Sequence, residues 1–318
     1  MGIVILEETR KAELEEFRRM LLSCAAVHRR KDDDGFGGEE NALPDRNGDV
    51  LDRMVCVTSG VSYLGIAIVN QLLVNGYSVR IIVDNEEVES LIEAFDGCRG
   101  VFHTSAFVDP AGLSGYSNVV KACGVSPSVR NCVLTSSLLT CIWRDNSLDE
   151  VSGLIDHKCW SDESVCVNKK LWYALGKLRA EKAAWDIAKE TGLKLATICP
   201  GLITGSEFYQ RSPTSTLAYL KGVQEMYTYG TLATVDIDSL AKAHVAIFQE
   251  MKKTASGRYI CFDKVIERED ELEKLAGETG ISASSITGGA SCSNSPRFVL
   301  SNAKLSRLML RTRRCHNE

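Results

Sequence analysis

Short apolar runs alternate with amphipathic segments along the chain from residue 54 onward. Residues 54–58 are predicted as a first strand, and residues 63–74 as a helix that ends at Asn75 and Gly76, a common left-handed stop. Further short strands are expected at 78–83, 100–105, 131–136 and 194–199. Runs of this kind are typical of parallel strands with helices on both faces. The alternation therefore predicts an α/β protein with a doubly wound parallel sheet.

The interval after the second strand is unusually short. Only residues 86–99 separate it from the next strand, and their apolar side chains recur at helical spacing. One half of a dinucleotide-binding sheet normally alternates strand and helix three times. The sequence therefore predicts a Rossmann-like sheet that lacks one edge strand.

The chain divides into three parts. Residues 6–27 have the apolar spacing of an amphipathic helix, and residues 29–52 are charged and glycine-containing, as in a flexible linker. We therefore predict an N-terminal helix and linker over 1–52, the sheet domain over 53–205, and a smaller C-terminal lobe with a tail over 206–318. Within that lobe, residues 239–252 are predicted as a helix capped by Asp238.

Composition excludes several classes of partner. The 37 Lys and Arg against 42 Asp and Glu leave a net charge of -5, without the basic field that holds nucleic acid. No apolar run reaches the roughly 20 residues of a membrane span, and the N-terminus lacks the apolar core of a signal peptide. The twelve cysteines are scattered without a CxxC pair, and the five histidines form no metal set. We expect a cytoplasmic protein with reduced cysteines and no metal; protein partners are not indicated.

The loop after the first strand has the location of a phosphate-binding turn, because it joins a buried strand to a helix N-terminus. Gly60 suits a tight turn and Gly65 suits close helix packing, but Ser59 and Ser62 stand where glycine would give the easiest access. An ordinary strand-to-helix turn is the alternative. The residues expected to hold the cofactor here are Gly60, Ser62, Tyr63, Leu64 and Gly65.

Two charged residues near the end of the second strand favour different cofactors. Asp84 follows Gly60 at close to the roughly 20 residues at which a carboxylate accepts hydrogen bonds from the ribose of NAD. Arg80 could instead bind the 2′-phosphate of NADP. Both could also be solvated charges at a strand end, so the sequence leaves NAD(H) and NADP(H) open.

The pair Tyr173 and Lys177 is the strongest local signal. A spacing of four residues places a phenol and an ammonium group on one helix face. A neighbouring cation favours the phenolate, which predicts a lowered pKa for Tyr173 and proton transfer to a carbonyl oxygen. A surface helix pair would give the same pattern.

Ser137 follows a buried strand at its carboxyl end, where a doubly wound sheet places its ligands. Its hydroxyl could polarise the same carbonyl oxygen, although Ser136 and Ser137 could simply begin a loop. Together with a nicotinamide cofactor, Ser137, Tyr173 and Lys177 would form a complete carbonyl reductase.

Several segments in order resemble one family. They are VTSGVSYLG at 57–65, GVFHTSA at 100–106, VRNCVLTSS at 129–137, WYALGK at 172–177, CPGLITG at 199–205 and VDIDSLAKAH at 235–244. The chain resembles the extended short-chain dehydrogenase/reductase family and, within it, the plant cinnamoyl-CoA reductase and dihydroflavonol reductase group.

The resemblance implies an NAD(P)-binding domain at 53–205 and a substrate lobe at 206–318. It makes Ser137, Tyr173 and Lys177 catalytic, gives Lys177 the nicotinamide ribose as well, and places Thr104 and Pro200 beside the cofactor. Members mostly use NADPH. Cinnamoyl-CoA reductases reduce an acyl-CoA thioester to an aldehyde in phenylpropanoid and lignin chemistry, and their relatives reduce ketones, so the implied substrate is a small phenylpropanoid-like molecule.

The chain also departs from the family pattern. The family segment NWYCYGK reads LWYALGK at 171–177, Asp84 stands where a basic residue is expected, and the segment of the third strand is missing before Val88. The helix at 117–124 is short. A second hypothesis is therefore a catalytically silent binding or regulatory protein that has lost its affinity for the cofactor.

Overall fold

The centre of the fold is a six-stranded parallel sheet. The computed structural model describes residues 53–83, 87–104, 115–144, 153–205, 213–287 and 297–315. The predicted helix and linker over 1–52 lie outside the described residues, as does Asp84.

The elements follow one another in strict alternation through the first half of the chain. In chain order they are β1 (Met54–Thr58), α1 (Tyr63–Val74), β2 (Ser78–Ile82), α2 (Val88–Phe95), β3 (Gly100–His103), α3 (Gly115–Val125), β4 (Asn131–Thr135), α4 (Leu139–Ile142), β5 (Leu154–Ile155), α5 (Glu163–Asn168), α6 (Trp172–Thr191), β6 (Lys194–Pro200), β7 (Leu202–Thr204), α7 (Pro213–Tyr219), α8 (Val223–Thr228), β8 (Ala233–Asp236), α9 (Ile237–Met251), β9 (Gly257–Cys261), β10 (Lys264–Val265), α10 (Glu269–Thr279), α11 (Ala283–Thr287), β11 (Val299–Leu300) and α12 (Ala303–Cys315).

The strand order of the large sheet is β2-β1-β3-β4-β6-β9. Its register pairs Thr58 with His103 and Thr135 with Ile198, so the carboxyl ends of β1, β3, β4 and β6 lie at one edge. Helices α1 and α9 pack on one face, and α2, α3 and α6 form the layer on the other. The prediction of a doubly wound parallel sheet is confirmed. Within the described residues β2 is an edge of this sheet, and α2 leads directly into β3, as the short interval predicts.

The C-terminal part of the chain contributes a strand to the central sheet. Strand β9 pairs with β6 in parallel, and α9 supplies Phe248, which packs against Phe102 of β3 with ring centres 5.0 Å apart. Sequence reasoning missed β9 because it took the segment after α9 as part of a separate lobe.

The cap of α9 also differs from the prediction. Asp236, not Asp238, has the extended backbone of a cap, and its carboxylate accepts a hydrogen bond from the backbone N–H of Asp238 at 2.9 Å. Asp238 lies in the first turn instead, where a negative charge favours the helix dipole.

Smaller sheets lie around a second hydrophobic cluster. One has the order β10-β8-β7, and the other pairs β11 with β5. Leu202, Ala233 and Leu300 from these strands pack with Leu138 and Leu175, which stand just after β4 and in the first turns of α6. The C-terminal half therefore supports the carboxyl edge of the large sheet. In the part of the chain that the structure describes, every helix is too short or too polar to pass through a membrane.

The turn before α1 leaves no space for a side chain at Gly65. A Cβ there would lie 2.3 Å from the carbonyl oxygen of Ser59. We expect Gly65→Ala to lower the free energy of unfolding by about 2 kcal/mol, because the turn would have to move. The matched control is Gly277→Ala in α10, where a Cβ meets nothing within 4 Å and alanine favours the helix. Denaturant titration measures both, and equal stability of the two variants would contradict the packing argument.

Candidate active site

A cleft opens at the carboxyl edge of the large sheet. It encloses about 650 Å³, including the space at its open mouth. Most of the predicted site residues line it: Ser62, Tyr63, Leu64, Thr104, Ser137, Tyr173, Lys177 and Pro200. The other lining residues come from the end of β4, from β7 and the glycine before it, and from α7: Thr135, Ser136, Gly201, Leu202, Ile203, Ser215, Thr216 and Tyr219. Doubly wound sheets bind their ligands in a crevice at the carboxyl ends of the strands, as here.

The turn between β1 and α1 presents a helix N-terminus to the cleft. Ser62 caps α1, and its Oγ accepts a hydrogen bond from the N–H of Gly65 at 3.1 Å. Gly60 and Gly65 lie behind this surface: a Cβ at Gly60 would lie 2.5 Å from Cγ2 of Ile81. The two glycines therefore shape the turn, while Ser62, Tyr63 and Leu64 form its wall. The helix dipole at this wall favours a negatively charged group.

Tyr173 and Lys177 lie in the first two turns of α6, and both face the cleft. The Nζ atom of Lys177 lies 5.8 Å from the centre of the Tyr173 ring. Lys177 is only 2% exposed, and its Nζ donates a hydrogen bond to the Tyr116 hydroxyl at 2.5 Å. Tyr116 in turn donates to the carbonyl oxygen of Thr135 at 2.6 Å. This chain of hydrogen bonds anchors the ammonium group to the end of β4.

Burial controls the protonation of this pair. It raises the pKa of Tyr173 well above its ordinary value and lowers the pKa of Lys177 to about 7, with Glu181 opposing the second shift. The prediction that the pKa of Tyr173 is lowered is therefore wrong. Burial of the Tyr173 hydroxyl raises its pKa by more than the nearby Lys177 could lower it, because Lys177 is only about half protonated at pH 7. Tyr173 remains a protonated phenol at neutral pH, which is the form that can give up a proton.

Ser137 and Ser136 have different tasks. The Oγ of Ser137 accepts a hydrogen bond from the N–H of Leu139 at 3.2 Å, and its own proton has no acceptor among the described residues. It can therefore donate to a ligand oxygen in the cleft. The Oγ of Ser136 donates to the Glu181 carboxylate at 2.6 Å. Ser137 is thus the serine available to a substrate, as the sequence predicts.

A buried ion pair behind the cleft joins the elements that carry these side chains. Glu181 of α6 is fully buried, and its Oε1 accepts hydrogen bonds from Nε of Arg258 at 2.8 Å and from the Thr197 hydroxyl at 2.7 Å. The Arg258 guanidinium also stacks 3.6 Å above the Trp160 ring. Burial raises the pKa of Glu181, but Arg258 and the hydroxyl donors outweigh burial, so the net pKa is lowered and the carboxylate stays charged.

Sequence reasoning missed Tyr116, Glu181 and Arg258. Glu181 follows Lys177 by four residues, so its place on the same face of α6 as Tyr173 and Lys177 could have been predicted from the spacing. Tyr116 and Arg258 have no local pattern, because their partners lie far away in the sequence.

Arg80 does not line the cleft. Its Nη1 donates to the carbonyl oxygens of Ala94 at 2.6 Å and Asp96 at 2.8 Å, which end α2. The guanidinium therefore satisfies backbone groups at a helix C-terminus, and the expected contact with a 2′-phosphate has no support in this geometry. Among the described residues, no cluster of His, Cys, Asp and Glu could hold a metal ion.

The cleft fits one half of a dinucleotide better than the other. The α1 N-terminus suits a diphosphate, and Thr104, Lys177 and Pro200 surround the space toward Tyr173. Thr104 is itself fixed, since its Oγ1 donates to the carbonyl oxygen of Thr58 at 3.1 Å. On the adenosine side, the described residues include no strand beyond β2, and the Arg80 side chain is bound to the end of α2.

A doubly wound parallel sheet that gathers a serine and a tyrosine–lysine pair around one cleft is the arrangement of the short-chain dehydrogenases/reductases. No protein-family model matches the chain. It is 34% identical over 264 residues to cinnamoyl-CoA reductase 1 of Petunia hybrida, a match that covers 71% of this chain and 78% of the relative. The chain therefore belongs to the short-chain dehydrogenase/reductase family, in its cinnamoyl-CoA reductase-like group.

Solved structures with similar folds agree with this family. Vestitone reductase from alfalfa is similar with a TM-score of 0.59 and 22% identity, covering 80% of this chain and 91% of that one. Gre2 from Candida albicans in complex with NADPH is similar with a TM-score of 0.59 and 19% identity, covering 80% and 93%. At these identities the likeness concerns the fold.

The Glu181–Arg258 pair should be essential for stability. We expect Glu181→Gln to lower the free energy of unfolding by about 3 kcal/mol or more, because the Arg258 guanidinium would be left buried without its counter-charge. The control is Asp270→Asn, which removes the partner of Arg268 in an ion pair whose side chains are about 70% exposed. That pair is solvated, so its loss, even with one negative charge fewer in the first turn of α10, should lower stability far less than Glu181→Gln does. Equal denaturation midpoints for Glu181→Gln and the wild type would contradict the role of the buried pair.

Tyr116 should set the protonation of Lys177. Tyr116→Phe removes the oxygen that accepts from the ammonium group, so the pKa of Lys177 should fall further below about 7. The ammonium form exists below this pKa, so any activity that needs it declines as pH rises through the pKa. We expect the decline to begin at lower pH in Tyr116→Phe, as measured by the pH dependence of kcat/KM. Tyr259→Phe, away from the cleft, should leave the profile in place; an identical profile for Tyr116→Phe would refute the role.

Proposed function

We propose that this protein is an NAD(P)H-dependent reductase that acts on a carbonyl group or an acyl-CoA thioester of a phenylpropanoid-like molecule. The observation that carries the proposal is the meeting of Ser137, Tyr173 and Lys177 in one cleft beside the N-terminus of α1. A protonated phenol, a free hydroxyl and a buried amine are the groups that reduction of a carbonyl requires.

Each residue has a defined task in this proposal. The Ser137 hydroxyl donates a hydrogen bond to the carbonyl oxygen and so stabilises the charge that develops there. Tyr173, protonated because burial raises its pKa, transfers its proton to the same oxygen. The Lys177 ammonium, held by Tyr116, stabilises the phenolate that remains. When bound, the nicotinamide cofactor supplies the hydride.

The cofactor and substrate take different walls of the cleft. Ser62, Tyr63 and Leu64 would hold the diphosphate, while Thr104, Lys177 and Pro200 would hold the nicotinamide half. The substrate would then contact α7, in agreement with the substrate role predicted for the segment after residue 205. The Petunia relative bears the name cinnamoyl-CoA reductase, which favours a phenylpropanoid substrate for this chain. The Candida structure is described as a complex with NADPH, which favours NADPH as the cofactor.

One structural observation favours the alternative of a catalytically silent binding protein. The large sheet ends at β2 within the described residues, and Arg80 is engaged by α2. Among the described residues, the adenosine half of the cofactor would then have no side-chain partner. Such a protein would keep the cleft but bind nicotinamide cofactors weakly.

Cofactor titration separates the two hypotheses. Nicotinamide fluorescence is followed while NADPH or NADH is added to the protein. Saturable binding of either cofactor supports the reductase, and the tighter one identifies the preferred form. Absence of binding of both supports the silent protein.

Tyr173→Phe tests the assigned proton donor. The ring remains but the transferable proton is lost, so we expect reduction of cinnamoyl-CoA or cinnamaldehyde to fall by about a hundredfold or more. Cofactor affinity should change little, because the phenol acts on the substrate. Tyr77→Phe is the control, since Tyr77 packs against Phe248 with ring centres 5.8 Å apart, outside the cleft. Turnover of Tyr173→Phe equal to the wild type would remove Tyr173 from the mechanism.

A further inference from the structure

Thr135 ends β4 one residue beyond the register of the neighbouring strand β3. The pairs between β3 and β4 stop at His103 and Leu134, whereas Thr135 still pairs with Ile198 of β6 on its other side. The strand ladder therefore holds Thr135 from one side only. Because Thr135 lines the cleft, the contacts that fix this strand end also shape the site.

The side chain of Thr135 is held by a histidine of α9. Its Oγ1 lies 2.8 Å from Nε2 of His244, and Nδ1 of the same ring lies 2.8 Å from the carbonyl oxygen of Leu240. A carbonyl oxygen can only accept, so Nδ1 carries the proton, and Nε2 of the neutral ring accepts from the Thr135 hydroxyl. His244 is fully buried, and burial lowers its pKa to about 4, so the ring keeps this form at neutral pH.

The carbonyl group of Thr135 belongs to the hydrogen bonds that hold Lys177. It accepts from the Tyr116 hydroxyl at 2.6 Å, and the Tyr116 oxygen accepts from Nζ of Lys177 at 2.5 Å. Helix α9 packs on one face of the large sheet, and α3, which carries Tyr116, packs on the other. A continuous series of hydrogen bonds from His244 to Lys177 therefore joins both helical layers through the end of one strand.

The other ionisable groups described around Lys177 keep one protonation state near pH 7. On α6, Tyr173 stays protonated and Glu181 stays ionised. On α3, burial raises the pKa of Tyr116 well above its ordinary value. On β3, burial lowers the pKa of His103 to about 3, and Lys177 adds to this effect, so the ring is neutral. A titration near pH 7 at this position therefore reports Lys177 itself.

We propose that His244 is a positioning residue for the reduction: by holding the Thr135 side chain, it keeps the Thr135 carbonyl oxygen in place for Tyr116 and so keeps Tyr116 in place for Lys177. The inference rests on the proposed function and adds to it a residue outside the lining of the cleft. Loss of the bond between His244 and Thr135 lets the strand end move, so the ammonium group of Lys177 loses part of the support that its acceptor gives.

Two pairs of variants separate the hydrogen bond from the bulk of the side chains. His244→Gln places an amide oxygen near the position of Nε2 and can accept from Thr135, whereas the shorter side chain of His244→Asn can reach only Leu240. Thr135→Val removes the hydroxyl, and Thr135→Ser keeps it. The control is Thr312→Val in α12, which removes a buried hydroxyl that donates to the carbonyl oxygen of Met309 at 3.0 Å, outside the cleft.

The first readout is the pH dependence of kcat/KM for reduction of cinnamaldehyde by NADPH. The second needs no activity: the titration of Lys177 is followed by NMR of the full chain with ¹³C-labelled lysine, and its resonance is assigned with Lys177→Arg. Activity should decline as pH rises through the pKa of Lys177, because the ammonium form is lost. We expect Thr135→Val and His244→Asn to move both midpoints down by about half a pH unit, a shift near the lower end of what a neutral hydrogen bond contributes. Thr135→Ser, His244→Gln and Thr312→Val should keep the midpoints of the wild type.

A purely structural role of His244 gives a different pattern. Variants without the bond would then unfold at lower temperature while both midpoints stay at the wild-type pH, and this result overturns the proposal. An equal shift for His244→Gln and His244→Asn overturns it as well. If His244→Asn does not fold, Thr135→Val and Thr135→Ser supply the same comparison. If the Lys177 resonance shifts as expected but the wild type reduces neither carbonyl compounds nor thioesters, the proposed function is wrong and the link from His244 to Lys177 stands.

Discussion

The active-site elements depend on one buried carboxylate. A charged Glu181 can exist inside the protein only if several donors replace the water that it loses, and it finds them on different elements: Arg258 on β9, Thr197 on β6 and Ser136 after β4. The bonds to Thr197 and Ser136 fix α6 against β6 and the end of β4, whose last residues line the cleft, and the bond to Arg258 fixes α6 to the neighbouring strand β9. Lys177 lies one turn and Tyr173 two turns before Glu181 on α6, so both take their positions from this anchoring. The serine next to Ser137 is held by the same carboxylate, so both sides of the carbonyl site share one support.

Burial gives the tyrosine and the lysine their chemical characters. The same removal from water keeps Tyr173 as a phenol and lowers the pKa of Lys177 to about 7, so that about half of its ammonium form is lost at pH 7. Lys177 remains partly charged because Glu181 lies one turn further along α6 and Tyr116 offers an oxygen to the ammonium group. The protonation states of Tyr173, the acid, and Lys177, the cation that stabilises its conjugate base, therefore depend on how deeply the fold buries them and not only on their contact with each other.

The cleft has two unequal halves. Around the nicotinamide and carbonyl positions, Thr104, Ser137 and Lys177 are each fixed by a hydrogen bond within the protein. Toward the adenosine position, β2 is the edge strand of the sheet among the described residues, and Arg80 donates hydrogen bonds to the end of α2. Loss of an edge strand does not disturb the centre of a parallel sheet, because the inner strands keep both neighbours. The chemistry and the affinity for cofactor can therefore change independently in this fold.

The sequence by itself determined the alternation of strands and helices, the absence of room for one edge strand, and the positions of Ser137, Tyr173 and Lys177 at strand and helix ends. These are local properties, since side-chain periodicity and the site at the carboxyl edge follow from the geometry of each βα unit. Only the tertiary structure decided that β9 joins the sheet, that Arg80 donates hydrogen bonds to the end of α2, and that Tyr116 holds Lys177. Contacts between residues far apart in the chain carry no periodic signal, and the pKa of Tyr173 depends on how much water its surroundings exclude, which is a property of the packed fold.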